Sequence, residues 1–159
     1  MRTILTGLVL AAFALPAAAQ APRALTQASA ADVQALIAKA KADQKPGSKL
    51  TVEPLLRLAP YGVNLEYRTG VAPAAVHETE AELFYIIDGS ATVVTGGKLA
   101  GETRTNPTNL SGTGIEGGES RKVAKGDFWI VPQGTPHWFS SVDGTLVLMS
   151  FHLPRTTNP

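Results

Sequence analysis

Cysteine is absent from the 159 residues. Disulfides, thiolate catalysis and zinc sites built on thiolates are therefore excluded together. No excess of one charge exists either, with 14 Lys+Arg against 13 Asp+Glu and no basic cluster. Such a chain is a poor partner for nucleic acid or for an anionic membrane. Histidine is scarce, with three in the chain, His77, His137 and His152. Long hydrophobic runs are also missing. The apolar stretch from Ile4 to Leu15 is broken by Thr6 and Gly7 and is too short to cross a bilayer, which takes about 20 residues.

That stretch has another reading. Arg2 precedes it, and Pro16 followed by Ala17-Ala18-Ala19 closes it. A charged start, an apolar middle and small residues at the end form the pattern of a secretory signal peptide. Cleavage after Ala19 is expected, with export to the periplasm or the medium. No cysteine follows the run, so a lipoprotein anchor is excluded. Removing residues 1–19 leaves 140 residues and takes away Arg2, so 13 basic side chains face 13 acidic ones. The mature chain is neutral, counting histidine as uncharged, and keeps no membrane association. Its length suits one domain held by its own core.

Residues 20–28 are rich in Ala, Gln, Pro and Thr and read as loose. Ser29 with Asp32 three residues on resembles a capping box. Val33, Leu36, Ile37 and Ala40 follow at helical spacing, and Lys45-Pro46-Gly47 ends the pattern. The spacing predicts one amphipathic helix over 29–43. The period then shortens to two. Strands are predicted at 50–53 and 55–58, interrupted by Pro54, and at 61–68, 83–87, 91–95, 128–131, 137–142 and 146–153. Many short strands with Gly, Pro, Asn and Asp between them indicate an all-β sandwich or barrel. Residues 96–120 hold only three large aliphatics, Leu99, Leu110 and Ile115. They read as a long loop, either an inserted hairpin or a lid over a pocket.

Two stretches carry the chemistry. In AAVHETEAELFYIIDGS, residues 74–90, His77 precedes Glu82, and Gly89 follows after six residues. In GDFWIVPQGTPHWFSS, residues 126–141, Gly126, Pro132, Gly134 and His137 are spaced as a turn, a strand, a second turn and a return strand that begins on histidine. The two stretches resemble the two motifs of the cupin superfamily, G-x5-H-x-H-x3or4-E-x6-G and G-x5-P-x-G-x2-H-x3-N. The resemblance covers about residues 50–153. The second motif matches at its first four fixed positions, with Ser141 where asparagine ends it. In the first motif, Ala75 stands where the first histidine belongs, and Gly70 lies one residue closer than the pattern asks.

The resemblance implies an antiparallel jelly-roll β-barrel, often a homodimer, and the helix read from the spacing precedes it. The organisation expected is a signal peptide over 1–19, an extension with a helix over 20–48 and the barrel over 49–155. The resemblance also implies a divalent metal held by three histidines and one glutamate. This chain offers His77, Glu82 and His137 for that set. Two imidazoles and a carboxylate suit iron, manganese, nickel, copper or zinc and leave positions open for a small-molecule ligand or substrate. The alternative is a barrel that binds small ligands without metal, its histidines packed in the core. Glu78 and Glu80 read as solvated turn residues, with a substitute ligand role as the other reading. Leu146, Leu148, Ser150 and His152 share one face of the last strand. If that face lines the barrel, His152 is a candidate catalytic base; if not, it is inert. Phe84, Tyr85, Phe128, Trp129, Trp138, Phe139 and Phe151 are expected mostly in the core, with some lining a pocket. Relatives of this plan include dioxygenases, decarboxylases, isomerases and domains that only bind, and fold does not choose among them. A barrel serving as a dimeric interaction unit is a third reading.

Overall fold

Period-two alternation becomes two facing antiparallel sheets. The computed structural model describes residues 25–155. Helix α1 (Ala30–Ala42) is followed by β1 (Leu50–Leu58), β2 (Tyr61–Arg68), β3 (Ala74–His77), β4 (Glu80–Asp88), β5 (Ser90–Thr95), β6 (Lys98–Ala100) and β7 (Thr103–Asn106). Then come β8 (Asn109–Gly112), β9 (Gly114–Glu116), β10 (Glu119–Ala124), β11 (Phe128–Val131), β12 (His137–Val142) and β13 (Leu146–Pro154). One sheet runs β1-β2-β13-β4-β11, the other β10-β5-β12-β3-β8-β7, and β6 with β9 forms a ribbon. This is a jelly-roll barrel, as expected.

Alternate side chains from the two sheets meet inside. Phe84, Ile86, Leu146 and Leu148 come from the first sheet, and Ala91, Val93, Val123 and Phe139 from the second. Burying each large apolar side chain contributes roughly 1.5–3 kcal/mol. Trp129 stacks on Phe84 with ring centroids 5.0 Å apart, and Phe139 meets Phe84 edge-on at 5.8 Å. This aromatic layer fills one end of the barrel. The histidines and Glu82 gather toward the other end, while a buried Glu66–Arg68 pair stays with the aromatic layer, Arg68 lying over the Phe139 ring at 4.4 Å.

The outer face of the first sheet is covered in part by α1. Its Val33, Leu36, Ile37 and Ala40 pack on Leu65, Tyr67 and Val147. The capping box forms as the sequence indicates: Asp32 N–H donates to Ser29 Oγ at 3.2 Å, and Ser29 N–H donates to the Asp32 carboxylate at 2.8 Å. Lys39 reaches Asp43 at 2.7 Å and Glu53 on β1 at 2.6 Å, which ties the helix end to the sheet.

Three expectations are corrected. Pro54 does not split the first strand; β1 is continuous, with a register irregularity between Pro54 and Leu56. It lies at a sheet edge, where a residue lacking an N–H is tolerated. Of the two readings of residues 96–120 the inserted hairpin is the one the structure shows, and the segment is strand rather than loop. Strands β7 and β8 form a hairpin that extends the second sheet beyond β3, and β6 pairs with β9. The few apolar residues there hid this, because backbone pairing at a sheet margin needs little side-chain burial. Tyr85 and Phe128 are exposed, at 39% and 61%, on the outer face that α1 leaves uncovered. The anticipated signal peptide lies outside the described residues. Leu25, in the segment expected to be loose, pairs with Arg57 through two backbone hydrogen bonds of 2.9 and 2.8 Å.

Candidate metal centre

Residues directly opposite in a sheet share a face. Across the first sheet, Arg57 on β1 stands opposite Gly62 on β2, Gly62 opposite His152 on β13, and His152 opposite Glu82 on β4. Leu146, Leu148 and Ser150 on the same side of β13 are fully buried, so that side faces the barrel interior and His152 with it. In the second sheet His137 lies opposite Ala75, and His77 two residues on lies opposite Asn109. The turn at Pro132–Gly134 that delivers His137 is anchored to the other motif, since Gly134 N–H donates to the His77 carbonyl at 2.7 Å.

The two sheets bring all three histidines of the chain around one carboxylate. Glu82 Oε2 lies 3.1 Å from His77 Nε2 and 3.0 Å from His137 Nε2. Glu82 Oε1 lies 3.6 Å from His152 Nε2. His77, Glu82 and His152 offer ligand atoms all within 4.8 Å of one another, a group that could hold a metal ion. The rings of His137 and His152 each lie 5.3 Å from that of His77. Glu82 and His137 are buried, while His77 and His152 are partly open to solvent. The centre is thus reachable from one side.

The outer nitrogens of the rings show which way each imidazole is turned. His77 Nδ1 faces Asn109 Oδ1 at 3.0 Å, His137 Nδ1 faces the Thr135 carbonyl at 3.2 Å, and His152 Nδ1 faces Glu80 Oε1 at 2.7 Å. An oxygen acceptor at Nδ1 requires the hydrogen there. Each neutral ring then presents an Nε2 lone pair to the Glu82 oxygens. Three lone pairs and a carboxylate in one place repel unless a cation joins them. In the metal-free protein a proton serves. Burial alone would lower the His77 pKa, but its hydrogen bond to Glu82, the Glu82 charge, and then Asn109 and Glu80 raise it to about 9. Burial alone would raise the Glu82 pKa, and hydrogen bonds from His137 and His77 with their charge hold it well below the usual carboxylate range.

His77, Glu82 and His152 could hold a metal ion at the same place, with His137 beside that group rather than in it. Ligand atoms on bonds of roughly 2.1 Å are about 3.0 Å apart at right angles and about 3.4 Å at the tetrahedral angle. The 3.0 and 3.1 Å separations to His137 and His77 fall in that range, and the 3.6 Å separation to His152 lies just above it. Histidines ligating a metal through one nitrogen usually donate the other N–H to a carboxylate, carbonyl or amide oxygen, and all three do so here.

His77, Glu82 and His137, the set anticipated from the motifs, are brought together. His152 joins them from a strand neither motif contains. Glu80, read as a solvated turn residue, instead accepts from His152 and is half-buried, which corrects that reading. Glu78 keeps a surface position, paired with Arg104 at 2.6 and 3.1 Å. Asn109 was missed, because a polar residue in a segment poor in aliphatics carries no sequence signal. Ser150 Oγ and Trp129 Nε1, both buried, have no hydrogen-bond partner among the described residues.

The cupin family model matches residues 48–158. The chain is a cupin. No curated protein sequence matches it. Among solved structures it resembles an RmlC-like cupin from Shewanella frigidimarina, at 13% identity and a TM-score of 0.50, covering 72% of this chain and 85% of that one. It also resembles TT1209 from Thermus thermophilus, at 18% identity and a TM-score of 0.52, covering 72% and 92%. A third similar structure is HppE solved with iron(II), at 14% identity and a TM-score of 0.52, covering 67% and 52%. At such identities the likeness concerns the fold. Within this cupin, Ala75 leaves vacant the first-histidine position of the motif, and the third imidazole comes from the opposite sheet.

Proposed function

We propose that this cupin holds one divalent metal ion through His77, Glu82, His137 and His152, and that it binds or transforms a small organic molecule there. The observation that carries this reading is the orientation of the three imidazoles. Each Nδ1 faces an oxygen acceptor and each Nε2 faces Glu82. When bound, the metal supplies Lewis acidity or, if redox-active, activation of oxygen. The chain's own residues do the rest. Glu80, Asn109 and the Thr135 carbonyl hold the rings in the ligating tautomer. The aromatic layer under the centre, with Phe84 5.9 Å from the His137 ring, keeps water from that side. His77 and His152 border the open side, where a small molecule enters. Export through the N-terminal segment and assembly as a homodimer complete the proposal.

The test is metal content by elemental analysis of protein purified from its native compartment, with His77→Ala, His137→Ala and His152→Ala alongside. About one metal per chain is expected in the wild type, with loss in each variant. No metal after reconstitution with iron, manganese, nickel, copper or zinc would leave a barrel that binds organic ligands by shape. The mass of the same sample is expected to place Gln20 at the N-terminus.

A further inference from the structure

Arg57 stands in the same cross-sheet row as the candidate centre, Arg57–Gly62–His152–Glu82, and on the same face of the sheet. Adjacent strands are about 4.8 Å apart, so Arg57 and His152 are separated by roughly 10 Å at their Cα atoms. Between them lies a glycine. The Arg57 side chain folds toward that gap: a Cβ at Gly62 would lie 3.5 Å from Nη1. The guanidinium therefore lies over the gap between β1 and β2, on the side of its strand that faces β13.

All its hydrogen bonds go to neutral oxygens. Nη1 donates to the Leu56 carbonyl at 2.7 Å and the Val63 carbonyl at 2.8 Å, and Nη2 donates to Asn64 Oδ1 at 2.7 Å. Among the described residues no carboxylate pairs with it, and Nε–H and the second hydrogen of Nη2 have no acceptor. These two N–H groups are a fork of the kind that takes a carboxylate in bidentate fashion. The three bonds already made fix the guanidinium plane, so little freedom is lost on binding.

We propose that Arg57 is a specificity residue that anchors the carboxylate of a short organic acid whose other end lies at the metal. This rests on the metal centre proposed above. The charge count selects a single carboxylate. A divalent cation balances Glu82 and Glu80, the imidazoles are neutral, and Arg57 leaves one positive charge. A phosphate dianion would overshoot it. The span selects a short chain, since Arg57 and His152 stand two strand spacings apart in one row.

Two hydroxamates of equal length test this on cobalt(II)-loaded protein. Succinic monohydroxamate and butanohydroxamate share the metal-binding end and differ at the far end, carboxylate against methyl. Binding is read from the visible spectrum of the cobalt. We expect the wild type to take the carboxylate compound at least about tenfold more tightly, and Arg57→Met to bind both alike with unchanged cobalt affinity. Lys122→Met, which removes a charge on distant β10, keeps the preference. Equal affinity of the two compounds for wild type, or a preference kept in Arg57→Met, overturns the proposal. Should Arg57→Met not fold, Arg57→Lys, which lacks the fork, is expected to lose most of the preference, and a full preference there overturns it too. If the wild type takes up no cobalt, the metal reading fails on its own. Arg57 is then judged on metal-free protein, where thermal stabilisation by millimolar succinate in wild type but not in Arg57→Met supports the anchor, and equal or absent stabilisation overturns it.

Discussion

Glu82 is a buried carboxylate whose partners can be charged in two ways, and pH separates them. In the metal-free protein His77 is raised to about 9 from an ordinary value of 6.5. Its stabilising share is whole below pH 6.5 and is lost as pH rises through about 9. Glu82 is held below its ordinary 4.5, so its share is present above that value and is lost as pH falls. Chelator-treated protein should therefore melt highest between about pH 4.5 and 6.5 and lose roughly 5 °C or more toward pH 9. Metal needs unprotonated imidazoles, so the melting gain on adding metal should grow over the same alkaline range. Differential scanning fluorimetry from pH 4 to 9.5, with and without metal, checks both slopes; a flat metal-free profile would remove the ion pair. Glu80 acts one bond further out. Glu80→Gln removes the charge that orients His152 and should weaken metal binding about tenfold or more with an unchanged circular dichroism spectrum. An equal affinity, measured by competition with a chelator, would make Glu80 a bystander.

Elements bring these residues to their places with different degrees of local warrant. Helix α1 was legible almost to the residue, since its cap and its apolar spacing are both local. Ser29→Ala removes an acceptor for Asp32 N–H and should cost about 1 kcal/mol in urea unfolding, with metal content unchanged, because the helix covers the outer face and touches none of the ligands. The strands with strong alternation were legible as well. The pairing of β7 and β8 was legible only as one of two readings, an inserted hairpin without assigned strands, since its side chains are mostly polar. That hairpin nonetheless supplies Asn109 to His77 and Arg104 to Glu78, so part of the site is built by a segment that reads as a loop.

At the scale of the molecule, the first sheet presents an uncovered apolar margin. Phe128 and Ile130 on edge strand β11 are 61% and 52% exposed, and Tyr85 beside them lies ring to ring with Phe128 at 6.3 Å. Burying this margin against a second copy is the expected basis of a homodimer. Sedimentation velocity should give a dimer for wild type and a monomer for Ile130→Lys, each with the same metal content. A monomeric wild type would leave the margin unassigned.

The sequence alone determined the barrel class and the helix and pointed to three of the four proposed ligands, because alternation, caps and motif spacings are local properties of the chain. His77 and Glu82 are five residues apart, and a turn signature announces His137. Tertiary structure decided the third imidazole. His152 reaches Glu82 across a strand pair seventy residues apart in sequence, and its direction depends on register, where a slip of one residue would turn it outward. It also decided the roles of Glu80, Asn109 and Arg57. Each has its meaning from a partner on another strand, and nothing in the neighbouring sequence marks that partner.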